Sequence, residues 1–189
     1  MTLKKNNTDK VILGIDPGTQ ILGFGAIHIC GRMVKYLDMG VVNLKKEKDH
    51  FVTLKKIIQE VTLLIERFSP DELAIEAPFY GKNPQVMLKL GRAQGAAIAA
   101  ALKKDIPIFE YAPRSVKLSI TGKGAASKEQ VAAMVQNILG INYPQKYLDA
   151  TDALAIALCH YYHGIGGIQI NKSSGSWEQF VKNNSDRVK

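Results

Sequence analysis

The stretch Val11-Ile12-Leu13-Gly14-Ile15-Asp16-Pro17-Gly18-Thr19 decides the fold. Its apolar and small residues run without interruption, which suits a short strand covered on both faces. Pro17-Gly18 then breaks the strand. Asp16 is left at the mouth of a sheet, on a rigid element. A carboxylate held there is a natural anchor for a hard cation. Asp-Pro-Gly is equally good turn chemistry, so this acid decides nothing alone.

A second strand ends the same way. Leu73-Ala74-Ile75-Glu76 is an apolar run that terminates on one acid and is followed by Ala77-Pro78. If the two strands are adjacent and parallel, Asp16 and Glu76 stand side by side at their carboxyl ends, where open α/β sheets place ligands. Two more acids open the run Asp149-Ala150-Thr151-Asp152-Ala153-Leu154-Ala155-Ile156-Ala157-Leu158. That run is a helix pattern, and a spacing of three puts both carboxylates on one face. Near a helix start they also meet the positive end of its dipole. A capped helix with acids in its first turn would look the same. Four crowded carboxylates repel one another, and cations relieve that repulsion. The usual solution is two Mg²⁺ ions roughly 4 Å apart, which activate a water and stabilise the leaving oxygen of a phosphodiester.

Ile15-Asp16-Pro17-Gly18, Ile75-Glu76-Ala77-Pro78-Phe79, Lys89-Leu90-Gly91, Phe109-Glu110-Tyr111 and Asp149-Ala150-Thr151-Asp152-Ala153-Leu154-Ala155 together resemble the RuvC family of Holliday-junction resolvases. The ordered set is far more specific than any one motif, and it spans residues 11 to 163. The resemblance implies an α/β, ribonuclease H-like fold: a mixed five-stranded sheet with helices on both faces. It implies a homodimer that makes paired nicks in a four-way DNA junction. Asp16, Glu76, Asp149 and Asp152 would be the catalytic and metal-holding acids, taking two Mg²⁺ per subunit with Mn²⁺ able to substitute. Phe79 would stack at the junction near the cut, and Lys117 and Lys128 match positions implied in DNA binding and cleavage. The family also implies cytoplasmic work beside a branch-migration motor of the RuvA and RuvB type.

Composition agrees with a nucleic-acid partner. The chain has 189 residues, enough for one domain with a good core, and a net charge of +8. A basic chain favours a polyanion but does not choose among DNA, RNA and anionic lipid. Most of the excess lies between Tyr80 and Gln130, where nine basic residues face three acids. Lys82, Lys89, Arg92, Arg114, Lys117, Lys123 and Lys128 in that region are candidate DNA contacts; Lys103 and Lys104 read better as solubilising surface. Lys117 and Lys128 flank Thr121-Gly122-Lys123-Gly124, whose glycines would let backbone approach phosphate. With two cysteines, Cys30 and Cys159, the chain is not a disulfide scaffold, and a reducing cytosol fits. Residues 1–10 lack a hydrophobic signal core, and no apolar run reaches membrane-spanning length.

Along the chain, strands are expected at 11–16, 21–29 and 33–42, with a hairpin turn at Cys30-Gly31-Arg32 and an antiparallel first pair. A helix follows over 51–68, with apolar positions at 51, 54, 57, 58, 61, 64, 65 and 68. After the Glu76 strand comes a helix over 85–104 whose small residues, Gly91 and Gly95 with several alanines, allow close packing on the sheet or across a subunit seam. A short strand at 107–109 and helices at 114–120, 127–139 and up to His163 complete a nuclease domain over 1–163. Residues 164–189 read as a flexible tail. Cys159, His160 and His163 are too few to complete a soft-metal site and read as core and helix-end residues. Gly18, Thr19 and Gly23 lack the lysine of an NTPase phosphate loop.

Other classes share parts of this pattern. An RNA-processing nuclease of the same fold would keep the acids. An actin-like or sugar-kinase-like phosphotransferase also carries Asp-x-Gly-Thr, but needs two such lobes, and this chain has length for one. A DNA-binding module without nuclease activity would be expected to lose acids that are all present here.

Overall fold

The computed structural model describes residues 9–47, 49–78, 83–143 and 148–165. Three strands open the fold: β1 (Asp9–Asp16), β2 (Ile21–Cys30) and β3 (Met33–Asn43). β1 and β2 pair antiparallel, as do β2 and β3. The turn between β2 and β3 is Gly31-Arg32, and Gly31 takes a positive φ of 62° that a side chain would resist.

α1 (His50–Phe68) then crosses one face of the sheet. Asp49 caps it, accepting from the backbone N–H groups of Phe51 and Val52, and Ser69 ends it in a left-handed turn. The buried face is narrower than the apolar pattern suggests. Ile57, Val61, Leu64 and Ile65 are buried, whereas Phe51 is 73% and Ile58 39% exposed. β4 (Glu72–Glu76) returns parallel to β1. α2 (Pro84–Leu102), capped by Asn83, leads to β5 (Ile108–Tyr111), parallel to β4. β5 runs two residues past the expected end, because Glu110 and Tyr111 pair with Ile75 and Glu76.

The sheet order is β3-β2-β1-β4-β5, mixed and five-stranded. α1 and α2 cover one face, against Leu13, Ile15, Leu73 and Ile75. The other face, carrying Ile12, Ile27, Ile29 and Ala74, is covered by α3 (Pro113–Thr121), α4 (Lys128–Leu139) and α5 (Leu148–Ile165). α4 starts with a capping box between Ser127 and Gln130. From Ala153 to Cys159 every residue of α5 is fully buried. A helix that is apolar all round must be enclosed, and α5 lies between the sheet and the α3–α4 layer. Each fully buried leucine or isoleucine there contributes roughly 1.5–3 kcal/mol.

Candidate functional site

Strand alternation aims the acids. In β1, Ile12 belongs to the α5-side core and Leu13 and Ile15 to the opposite core; in β4, Ala74 faces α5 while Leu73 and Ile75 face away. Successive residues alternate between faces, so Asp16 and Glu76 fall on the α5 side. The register pairs Ile15 with Ile75, which leaves the two acids together at the strand ends.

Glycines bring α5 down onto them. A Cβ at Gly14 would collide with the carbonyl of Ala153, one at Gly23 with the carbonyl of Asp149, and one at Gly25 would lie 2.7 Å from the nitrogen of Leu154. The first turns of α5 therefore rest on bare strand backbone. The result is a close triad: Asp16, Asp149 and Asp152 each offer a carboxylate oxygen within 4.8 Å of the others. Glu76 lies outside that triad but lines the same cavity, of about 260 Å³, together with Asp16, Asp152, Lys117 and Lys128. A larger concavity of about 520 Å³, between the β2–β3 hairpin and α1, has Glu60 as the one acid among its lining residues and is not a rival site on chemical grounds.

The acids pay electrostatically for this company. Burial, with the charges of Asp152 and Asp149, raises the Asp16 pKa to about 6. Burial, then Asp16 and Asp152, raises Glu76 to about 7. Burial also raises Asp152, against the pull of Lys128. Lys128 stands over the cluster, with Nζ 2.7 Å from Asp152 and 3.6 Å from Asp149. Burial opposes its charge, but the Asp152 hydrogen bond and the surrounding carboxylates prevail and raise its pKa.

The basic candidates divide. Lys117 and Lys128 line the acid cavity. Lys89 and Arg92 are exposed on α2, and Lys123 is exposed after α3; none of the three lines that cavity. Arg114 is exposed too, and its aliphatic stem lies across Gly124, where a Cβ would come within 2.8 Å of it. Gly124 thus makes room for an arginine as well as exposing backbone. Phe79 and Lys82 lie outside the described residues, as does the tail beyond Ile165.

His160 is indeed a core residue: Tyr111 hydroxyl meets its Nδ1 at 2.6 Å, and its Nε2 meets Glu72 at 2.7 Å. Sequence reasoning missed three features of the site. The helix-seating role of Gly14, Gly23 and Gly25 was readable only as glycine recurring in two buried strands. The Lys128–Asp152 pair depends on α4 meeting α5. Gln94, the buried polar residue on the alanine face of α2, donates to the backbone carbonyl of Glu76.

A mixed sheet of this order, ending in a carboxylate cluster beneath a seated helix, defines a ribonuclease H-like protein built for phosphodiester chemistry. Family comparison sharpens the class. The model of the family "Crossover junction endodeoxyribonuclease RuvC" matches residues 12–160, and the chain belongs to that family. The crossover junction endodeoxyribonuclease RuvC of Cytophaga hutchinsonii is 54% identical, with 96% of this chain and 89% of that protein covered. The RuvC of Porphyromonas gingivalis is 50% identical over 96% of this chain and 98% of that one. Among solved structures, Thermus thermophilus RuvC in complex with a Holliday junction substrate superposes with a TM-score of 0.77 at 34% identity, covering 84% of this chain and 96% of that chain.

Proposed function

We propose that the protein resolves four-way DNA junctions by paired, metal-dependent nicks, using Asp16, Glu76, Asp149 and Asp152. The observation that carries this reading is the convergence of Asp16, Asp149 and Asp152, from a strand end and a separate helix start, within 4.8 Å. All four donors are hard carboxylate oxygens, and the raised proton affinities of Asp16, Glu76 and Asp152 mark a place where positive charge is wanted. That donor set fits Mg²⁺, with Mn²⁺ as a substitute, and four acids are enough to share two ions. Bound there, such cations would activate a water and neutralise charge on the scissile phosphate.

The chain's own residues do the rest. Asp16 and Glu76 are fixed by the sheet, and Asp149 and Asp152 by a buried helix, so the donors are preorganised. Lys128 and Lys117 border the cavity and would hold the phosphate that enters it. Phe79 follows Glu76 by three residues and is assigned the stacking role, with Lys82, Lys89, Arg92, Arg114 and Lys123 as further backbone contacts.

Paired cuts need two equivalent sites, which a two-fold homodimer supplies. The seam is placed on the outer side of α2. Its buried alanines pack into the core shared with α1 and the sheet, while a Cβ at Gly91 or Gly95 would meet nothing within 4 Å. Leu88, 64% exposed, and Leu102, 60% exposed, lie along the same helix. A cytoplasmic setting, a nuclease domain over 1–163 with residues 164–189 as a tail, and a RuvA- and RuvB-type motor as partner complete the reading. No helix among the described residues is long and apolar enough to cross a membrane.

The test offers a four-way junction, linear duplex, RNA and ATP to the protein with Mg²⁺. Paired nicks should appear in the junction alone. Asp16→Asn should lose several orders of magnitude in cutting yet still bind the junction in Ca²⁺. Substantial Mg²⁺-dependent cutting by that variant would sink the assignment.

A further inference from the structure

α2 turns five alanines toward the sheet side, and among them one amide. Ala93, Ala96, Ala97, Ala100 and Ala101 are buried, and Gln94 is only 6% exposed. A buried amide has to be hydrogen-bonded, so its partners show its task. Gln94 Nε2 donates to the backbone carbonyl of Glu76 at 3.2 Å and to Oε1 of Glu110 at 3.3 Å. A carbonyl and a carboxylate can only accept, so the amide orientation follows from chemistry.

The peptide unit joining Glu76 to Ala77 is thereby tied at both ends. Its N–H donates to the carbonyl of Tyr111 at 2.9 Å, and its C=O accepts from Gln94. The first tie is ordinary ladder bonding to β5. The second comes from a helix on the far face of the sheet from the acids. Together they fix the backbone at the strand end that carries Glu76, where the ladder stops and Pro78 soon follows. The flanking buried alanines place Gln94 on the side of α2 that meets the core shared with α1 and the sheet. Glu110, paired with Ile75 across the β4–β5 ladder, takes the second amide hydrogen and keeps the group aimed.

We propose that Gln94 is a positioning residue for Glu76, holding the strand end so that the Glu76 carboxylate addresses the metal centre. This rests on Glu76 being a metal ligand. Gln94 does not line the acid cavity, so it acts through backbone and not on substrate. Small misplacements of a reacting group are costly, and residues that orient metal ligands typically govern about 10–100-fold in metal affinity.

The experiment measures Mn²⁺ binding by calorimetry on Gln94→Leu and Gln94→Met, two side chains of similar size without the donor, beside Glu76→Gln. Both Gln94 variants should bind Mn²⁺ at least about tenfold more weakly and cut junctions more slowly, with part of the rate recovered at high metal. Junction binding in Ca²⁺ should stay within about twofold and melting within a few degrees. Unchanged Mn²⁺ affinity in both variants, while Glu76→Gln weakens it, overturns the role of Gln94. Unchanged affinity in Glu76→Gln overturns the ligand reading on which it rests. Losses of Mn²⁺ affinity that accompany equal losses of junction binding and a large fall in melting in both variants also overturn it, leaving Gln94 a packing residue.

Discussion

Asp16 and Glu76 hold protons well above the usual carboxylate range, at about 6 and about 7. The fold therefore keeps protons that the unfolded chain releases, and stability without metal falls as pH rises from about 4 to 7. A tenfold change in proton affinity is worth about 1.4 kcal/mol, so the two acids together cost the metal-free protein a few kcal/mol at neutral pH. In EDTA, Asp16→Asn should gain thermal stability over the parent at pH 7.5 and gain little at pH 4. Mg²⁺ should stabilise the parent more than the variant. A stability difference that does not change between those two pH values would show that burial and the neighbouring carboxylates do not raise the Asp16 pKa. The four acids were legible in the sequence because each ends an apolar run or opens an apolar helix. The contact of Lys128 with Asp152 was not, because it is made between two helices whose packing no local pattern encodes. Phe51 and Ile58 misled for a related reason: helical periodicity marks a face, but the width of the buried part depends on what lies opposite.

At the scale of the element, α5 on glycine is the main device. The Cβ of Gly14→Ala would meet backbone atoms of Ala153 and Ala157, which cannot rotate aside. Overpacking of this kind costs about 1–3 kcal/mol or more, and α5 would have to lift from the sheet, taking Asp149 and Asp152 with it. Gly14→Ala should lower melting by roughly 3–10 °C and lose most cutting, read by calorimetry and the junction assay. Melting and cutting equal to the parent would mean that α5 does not press on β1. The elements themselves were legible to within about two residues at their ends, since strand and helix periods differ and most turns carried proline or glycine. What the chain did not disclose was why its strand glycines stand where they do: a glycine that clears space for a distant helix looks the same as one that breaks a strand. The small residues of α2 resolved in a way that periodicity alone left open, with five alanines in the core shared with α1 and the sheet and with open space beside Gly91 and Gly95.

For the whole molecule, that outward side carries the remaining prediction. Gly95→Leu fills space that is open in one subunit, so the monomer should fold normally. If two subunits meet there, the added bulk costs about 1–3 kcal/mol, roughly tenfold or more in the dimer dissociation constant. Sedimentation should then show monomers at concentrations where the parent is paired, and the two nicks should lose their coupling. An intact dimer would move the seam to another face. Charge belongs to this scale as well: a net +8 was visible at once, but only the fold separates Lys117 and Lys128, at the acids, from Lys89, Arg92 and Lys123, which do not line that cavity.

α5 is also a ruler. It runs from Leu148, beside the acids, to Ile165, and it is rigid because most of its length is enclosed. His163 is exposed near its far end, fourteen residues from Asp149, or about 21 Å along the axis at 1.5 Å per residue. A spectroscopic label placed at that position, outside the cavity the acids line, would report on a paramagnetic ion at the carboxylates from a known and nearly fixed distance.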